Sequence, residues 1–165
     1  MKNIVFPNLP SGNCIFCDDI RYEINGKRTF VGVYGTHMYA PEIPFTIPKF
    51  CVSVEYREEV DCGDDVTLKI LFEKQSEYEE IDEDFVPTEF DSGDVIFESA
   101  LGKSSSLVRK KPKGFMMKSG RFDFTLMPLH ITSQGRIKVR AYRSDTEIRL
   151  GTIFVELSED IQEID

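Results

Sequence analysis

The chain predicts an all-β domain, on three observations. Apolar and polar residues alternate with period two through most of its β-capable runs. Those runs are separated by Gly, Asn, Asp and Pro, which turns and edges require. Only one short stretch, near Glu77 to Ile81, suits a helix. With 165 residues and a hydrophobic fraction of 41%, the chain is long enough for one core and short for two.

Residues 1–12, interrupted by Pro7 and Pro10, read as a tail or covering strand before a domain over 13–158. From Cys14, two β-capable runs flank Asn25-Gly26, a strong short-range hairpin signal. Ile20, Tyr22 and Ile24 alternate with Asp19, Arg21 and Glu23, which assigns the first set to a packed face. The return strand carries Phe30, Val31, Val33 and Tyr34, with Gly32 marking a bulge or a close contact. Pro41, Pro44 and Pro48 exclude a central strand and predict a crossing or edge segment.

Phe50, Val52, Val54 and Tyr56 then alternate with Cys51, Ser53 and Glu55. After a turn around Gly63, Val66, Leu68, Ile70 and Phe72 share one face of the next strand. Residues 73–98 are acidic and broken by Pro87 and Gly93, and predict a crossing between sheets that ends in a short strand, VIFESA. Phe122, Phe124 and Leu126 alternate with Arg121, Asp123 and Thr125 up to Pro128. Ile137, Val139 and Ala141 lie opposite Lys138, Arg140 and Tyr142. Ser144-Asp145 turns the chain into a last strand with Ile153, Val155 and Leu157 inward and a bulge expected at Gly151. Residues 159–165 form an acidic tail.

Seven to nine mostly antiparallel strands joined by hairpins and irregular crossings predict a single-domain β-sandwich of Ig-like or C2-like kind. Cys17-Asp18-Asp19, Arg21, Glu23, Gly26-Lys27, Gly32 and Tyr34, with the segment from Pro41 to Pro48, form a pattern. It resembles the opening of an uncharacterised family of small bacterial and phage proteins, a domain of unknown function. The run from Gly135 to Glu156 is similar to that family's closing strands, so the resemblance spans roughly residues 13 to 157. It implies a compact all-β domain and a bacterial or phage setting, and brings no catalytic role.

The formal charge of −9 conceals opposite blocks. Residues 73–98 carry eleven acidic side chains and one Lys, whereas residues 103–143 carry eleven basic side chains and one Asp. The total weighs against a surface that wraps extended duplex nucleic acid or sits on anionic lipid, but leaves room for a local anion site. No run of 18 apolar residues and no apolar leader is present, so a cytoplasmic protein is expected. The four cysteines do not form a dense disulfide framework and read as reduced thiols.

Cys14 and Cys17 are three apart on a strand, which points them to opposite faces and argues against a shared metal. Asp19, Arg21 and Glu23 share a face and read as a surface ion-pair network. Asp61, Asp64 and Asp65, with the later acidic loops, read as solvated carboxylates lacking EF-hand spacing. His37 and His130 are isolated, and no nucleophilic constellation includes them.

The strongest candidate is the segment GKSSSLVRKKPKGFMMKSGR. It is not a phosphate loop of the Walker type, because the upstream glycine is missing and Pro112 opposes a following helix. Lys103, Ser104, Arg109, Lys110, Lys111, Lys113, Lys118 and Arg121 are nevertheless donors suited to an anion or an acidic partner surface. The expectation is a non-enzymatic binding or accessory protein without a cofactor, contacting a protein or small anionic ligand through residues 103–121. Strand edges offer a route to a homo-oligomer. The alternative is a nucleotide- or phosphate-handling protein, a sequestering binder or a hydrolase, using the same loop.

Overall fold

The computed structural model describes residues 9–59, 65–75, 93–101 and 117–158, and among them eleven strands stand where the sequence predicts seven to nine. They are β1 (Ser11–Tyr22), β2 (Arg28–Val33), β3 (His37–Ala40), β4 (Phe45–Ile47), β5 (Phe50–Glu59) and β6 (Val66–Lys74), then β7 (Asp94–Leu101), β8 (Met117–Leu126), β9 (Leu129–Ile131), β10 (Gly135–Arg143) and β11 (Thr146–Leu157). The extra strands are the shortest, β3, β4 and β9, whose three or four residues carry too few alternations to register as a period.

One sheet runs β2-β1-β5-β8, a second runs β3-β11-β10-β6-β7, and β4 pairs with β9. All pairings are antiparallel except β3 with β11. The predicted alternation of β5, β6, β8, β10 and β11 holds. Phe50, Val52, Val54 and Tyr56 join Leu68, Ile70, Ile137, Val139, Ile153 and Val155 in one buried cluster between the two large sheets. Each such side chain contributes about 1.5–3 kcal/mol through removal from water. Phe97 of β7 meets Phe124 of β8 across the layers, with ring centroids 5.0 Å apart. β4 and β9 add Ile47, Leu129 and Ile131 to the same core. This is a sandwich-like all-β arrangement.

Three local expectations change. The 73–98 stretch does not cross between sheets, because β7 pairs antiparallel with β6 in the same sheet. The connection from β7 to β8 makes the crossing instead. The bulge lies one residue before Gly151: Val139 pairs with Gly151 and Arg140 with Arg149, which leaves Leu150 as the extra residue. Third, Tyr22 and Ile24 are 71% and 85% exposed, so neither the end of β1 nor the turn after it packs into the core. The region of the expected short helix and the turn at Gly63 lie outside the described residues. Among the described residues, no helix is long and apolar enough to cross a membrane.

Candidate binding cleft

β1 has two halves with different neighbours. From Ser11 to Cys17 it pairs with β5, and from Cys17 to Tyr22 its pairing is with β2. The β1–β2 hairpin turns through the three residues Ile24–Gly26, closed by the Glu23 N–H donating to the Lys27 carbonyl at 2.8 Å, and Asn25 and Gly26 take the positive φ (68° and 72°) that these residue types tolerate best. At the point where β1 leaves β5, Gly32 of β2 also has positive φ (62°), and the carboxylate of Asp18 occupies the space a Cβ would need. Only glycine suits that position. Asp18 accepts a hydrogen bond from the Tyr34 hydroxyl, and Tyr34 itself packs on Phe50 of the core.

The hairpin lies over the outer face of its own sheet, where a polar clasp holds it. Asp123 of β8 accepts hydrogen bonds from the Tyr22 hydroxyl (2.9 Å), the Ser53 hydroxyl (2.7 Å) and the Arg28 guanidinium. Arg28 Nη1 also donates to Ser53 Oγ at 3.1 Å. Burial opposes ionisation of Asp123, but the bonds from Ser53, Arg28 and Tyr22 outweigh it and hold the carboxyl below the ordinary carboxylate range. A second tie at the hairpin root joins Lys49 to Asp19, which also accepts from Arg21 Nε at 3.3 Å.

Between hairpin and sheet lies a cleft of about 390 Å³. Its lining combines Asn13, Ile15, Ser53, Glu55 and Arg121 from the sheet with Gly26, Lys27, Arg28 and Phe30 from the hairpin. Period two explains the floor: with Phe16, Val52, Val54 and Phe122 turned to the core, Ile15, Ser53, Glu55 and Arg121 must face outward. Arg28 is committed to Asp123. Arg121 is not so committed, because Glu55 holds Arg57 at 2.8 Å and Arg121 only at 3.9 Å, with the Arg121 side chain 57% exposed. Lys27 is exposed at the hairpin tip, with no ion pair among the described residues. Two cations therefore face an open polar cleft that has apolar wall at Ile15 and Phe30.

Of the residues singled out in sequence, Lys103, Ser104, Arg109, Lys110, Lys111 and Lys113 lie outside the described residues. Lys118 and Arg121 both belong to β8 but, three apart, point to opposite faces. Lys118 donates to Glu58 at 3.3 Å, and Arg121 enters the cleft. The other lining residues are scattered over two strands and a hairpin, so no local motif announces them. The one signal is Lys27-Arg28 directly after the Asn-Gly turn. Cys14 and Cys17 do point to opposite faces, opposite Val54 and Cys51 respectively. Arg21 pairs with Asp19 but not with Glu23, which instead accepts from Thr29. Among the described residues no group of three His, Cys, Asp or Glu side chains gathers as a metal site.

Comparison with family models, curated proteins and solved structures finds no match to the chain.

Proposed function

We propose that the protein is a non-enzymatic binding module whose cleft takes a single negative charge carried next to an apolar group, such as a carboxylate on a partner peptide or small ligand. The observation that carries this reading is the half-committed Arg121 beside Lys27, in a cleft whose walls include Ile15, Phe30 and Asn13. Three cations and one carboxylate line the cleft, and Asp123 neutralises Arg28 from below. With Arg57 holding Glu55, two positive charges are left over at Lys27 and Arg121, and the apolar wall at Ile15 and Phe30 favours a carboxylate joined to an apolar group over a bare phosphate. A volume of about 390 Å³ is at the small end for ligand sites and fits one side chain or chain end.

The basic segment that includes Lys103, Ser104, Arg109, Lys110, Lys111 and Lys113 precedes in sequence the strand carrying Arg121, and its charge suits an acidic partner. An accessory role of this kind, on an Ig-like or C2-like scaffold, agrees with the resemblance to small bacterial and phage proteins.

The test is an NMR titration of the whole chain with N-acetylphenylalanine, its neutral amide, and inorganic phosphate. The carboxylate should move the amide signals of Lys27, Arg28, Ser53 and Arg121, and the neutral amide should not. Arg121→Ala should weaken binding roughly fivefold, as expected for one partly exposed charge contact of about 1 kcal/mol. Stronger response to phosphate would select the phosphate-handling alternative. No response to either anion would overturn the cleft as an anion site.

A further inference from the structure

Cys17 and Cys51 are direct cross-strand partners in the β1–β5 ladder, at its last pair before β1 departs with the hairpin. Directly opposed residues of antiparallel strands have Cα atoms about 4.5 or 5.5 Å apart, depending on the ladder position. Both spacings fall inside the roughly 4.4–6.8 Å range that a disulfide spans. Opposed side chains also share one face of the sheet, so the two sulfurs project to the same side. Both residues are fully buried and both are free thiols. Cys14 cannot compete, because it lies on the other face opposite Val54, against Gly151 of the facing sheet.

We infer that Cys17 and Cys51 form a dithiol site for reversible oxidation to a cross-strand disulfide by a low-molecular-weight disulfide. One of the two thiols, as thiolate, attacks a sulfur of the small disulfide, forming a mixed disulfide and expelling one small thiol. The second thiolate attacks the protein sulfur of that mixed disulfide, closing the Cys17–Cys51 bond and expelling the other small thiol. Two protein thiols are oxidised, one small disulfide is reduced, and the two protein protons end on the released thiols.

The surroundings make this a slow, guarded reaction. Cys51 donates to the carbonyl of Asp18 and contacts Thr125 Oγ1, each at 3.6 Å. The Cys17 thiol is pushed up to about 11, first by burial and then by Cys51 and Asp18. The Cys17 thiolate is therefore scarce at neutral pH, which slows its attack on a small disulfide. Once formed, the bond ties β1 to β5 at the root on which the hairpin turns.

The experiment uses the whole native chain, incubated with oxidised glutathione at pH 8.5, then acid-quenched, alkylated and peptide-mapped; denatured chain under the same conditions confirms that the oxidant is competent. The expected product has lost two hydrogens and two alkylation sites, contains a Cys17–Cys51 linked peptide, and unfolds at higher urea than the reduced chain. Cys17→Ser should leave glutathione trapped on Cys51, and Cys51→Ser should leave it on Cys17. Native chain in which both thiols stay alkylatable while the denatured control is oxidised would overturn the site. So would bridges to Cys14 or Cys62 as the main product, or glutathione retained on both Cys17 and Cys51.

Discussion

The outer faces of the two large sheets both carry opposed charges, and they use them differently. On the five-stranded sheet, Glu73 is 2% exposed and is shared by Arg136 and by Lys138, the latter at 3.2 Å. Nearby, Arg140 Nε meets Glu147 at 3.1 Å, and Arg149 shares the same carboxylate. On the four-stranded sheet, Asp123 is equally well supplied with donors, but its partners Tyr22 and Arg28 come from a hairpin that stands off the sheet and leaves a cleft. The same residue types are a buried strut on one face and the rim of an open cleft on the other. What decides is whether the charge pairs lie along adjacent strands or reach across an open gap.

Three substitutions break this contrast to different degrees. The largest effect is expected at Glu73. Glu73→Ala deprives buried Lys138 of its carboxylate and should cost about 3–5 kcal/mol, read as a lowered urea midpoint with an unchanged slope.

Asp123→Asn should cost less, about 2–3 kcal/mol, because the amide keeps one acceptor but loses charge-assisted bonds from Arg28 and Tyr22. Hydrogen exchange should speed up first at the β1–β2 hairpin amides, not in β10. The pH dependence follows from the lowered carboxyl of Asp123. A depressed folded value means its stabilisation is fully present above the ordinary Asp pKa of about 3.9 and is lost as pH falls through the lower folded value. Asp123→Asn should remove that part of the acid sensitivity, and equal acid profiles for the two proteins would contradict the clasp.

Gly32→Ala should be the mildest, about 1–2 kcal/mol for placing a side chain at positive φ against Asp18. Its loss should appear in the hairpin and leave the Glu73 cluster untouched, as judged by residue-resolved exchange.

Much of the fold was legible because β5, β6, β8, β10 and β11 each bury one face against the other sheet, and period two reports that burial directly. The same rule misplaced Ile20, Tyr22 and Ile24. Past Asp18, β1 has only β2 beside it, and alternation cannot distinguish a core-facing strand from one that rises into a hairpin over the sheet. The acidic 73–98 stretch was misassigned as a crossing because composition carries no information about which neighbour a strand rejoins.

The site was less legible than the fold. Arg121 was singled out for its basic neighbourhood, but its place facing the cleft depends on Glu55 being occupied by Arg57, a fact of strand register. Ser53, Asn13 and Ile15 read as ordinary polar or apolar strand positions until β5, β1 and the hairpin are assembled. The basic block itself divides: Arg136, Lys138 and Arg140 hold the sheet surface together, whereas Arg121 opens to the cleft.

The clasp on Asp123 also sets an order of assembly. The hairpin is made of local contacts within β1, its turn and β2, yet the seat it docks on lies 95 residues beyond Arg28 and 101 beyond Tyr22. Local hairpins form in about 1–10 μs, whereas contacts of such long sequence separation wait on the slow pairing of distant strands. During synthesis from the N-terminus, the hairpin therefore emerges long before β8 does, with Tyr22, Arg28 and the faces of Ile15 and Phe30 uncovered. Any fragment that stops short of Asp123 lacks the acceptor on which Tyr22 and Arg28 dock, and the hairpin is left with its ties to Ser53 and Lys49.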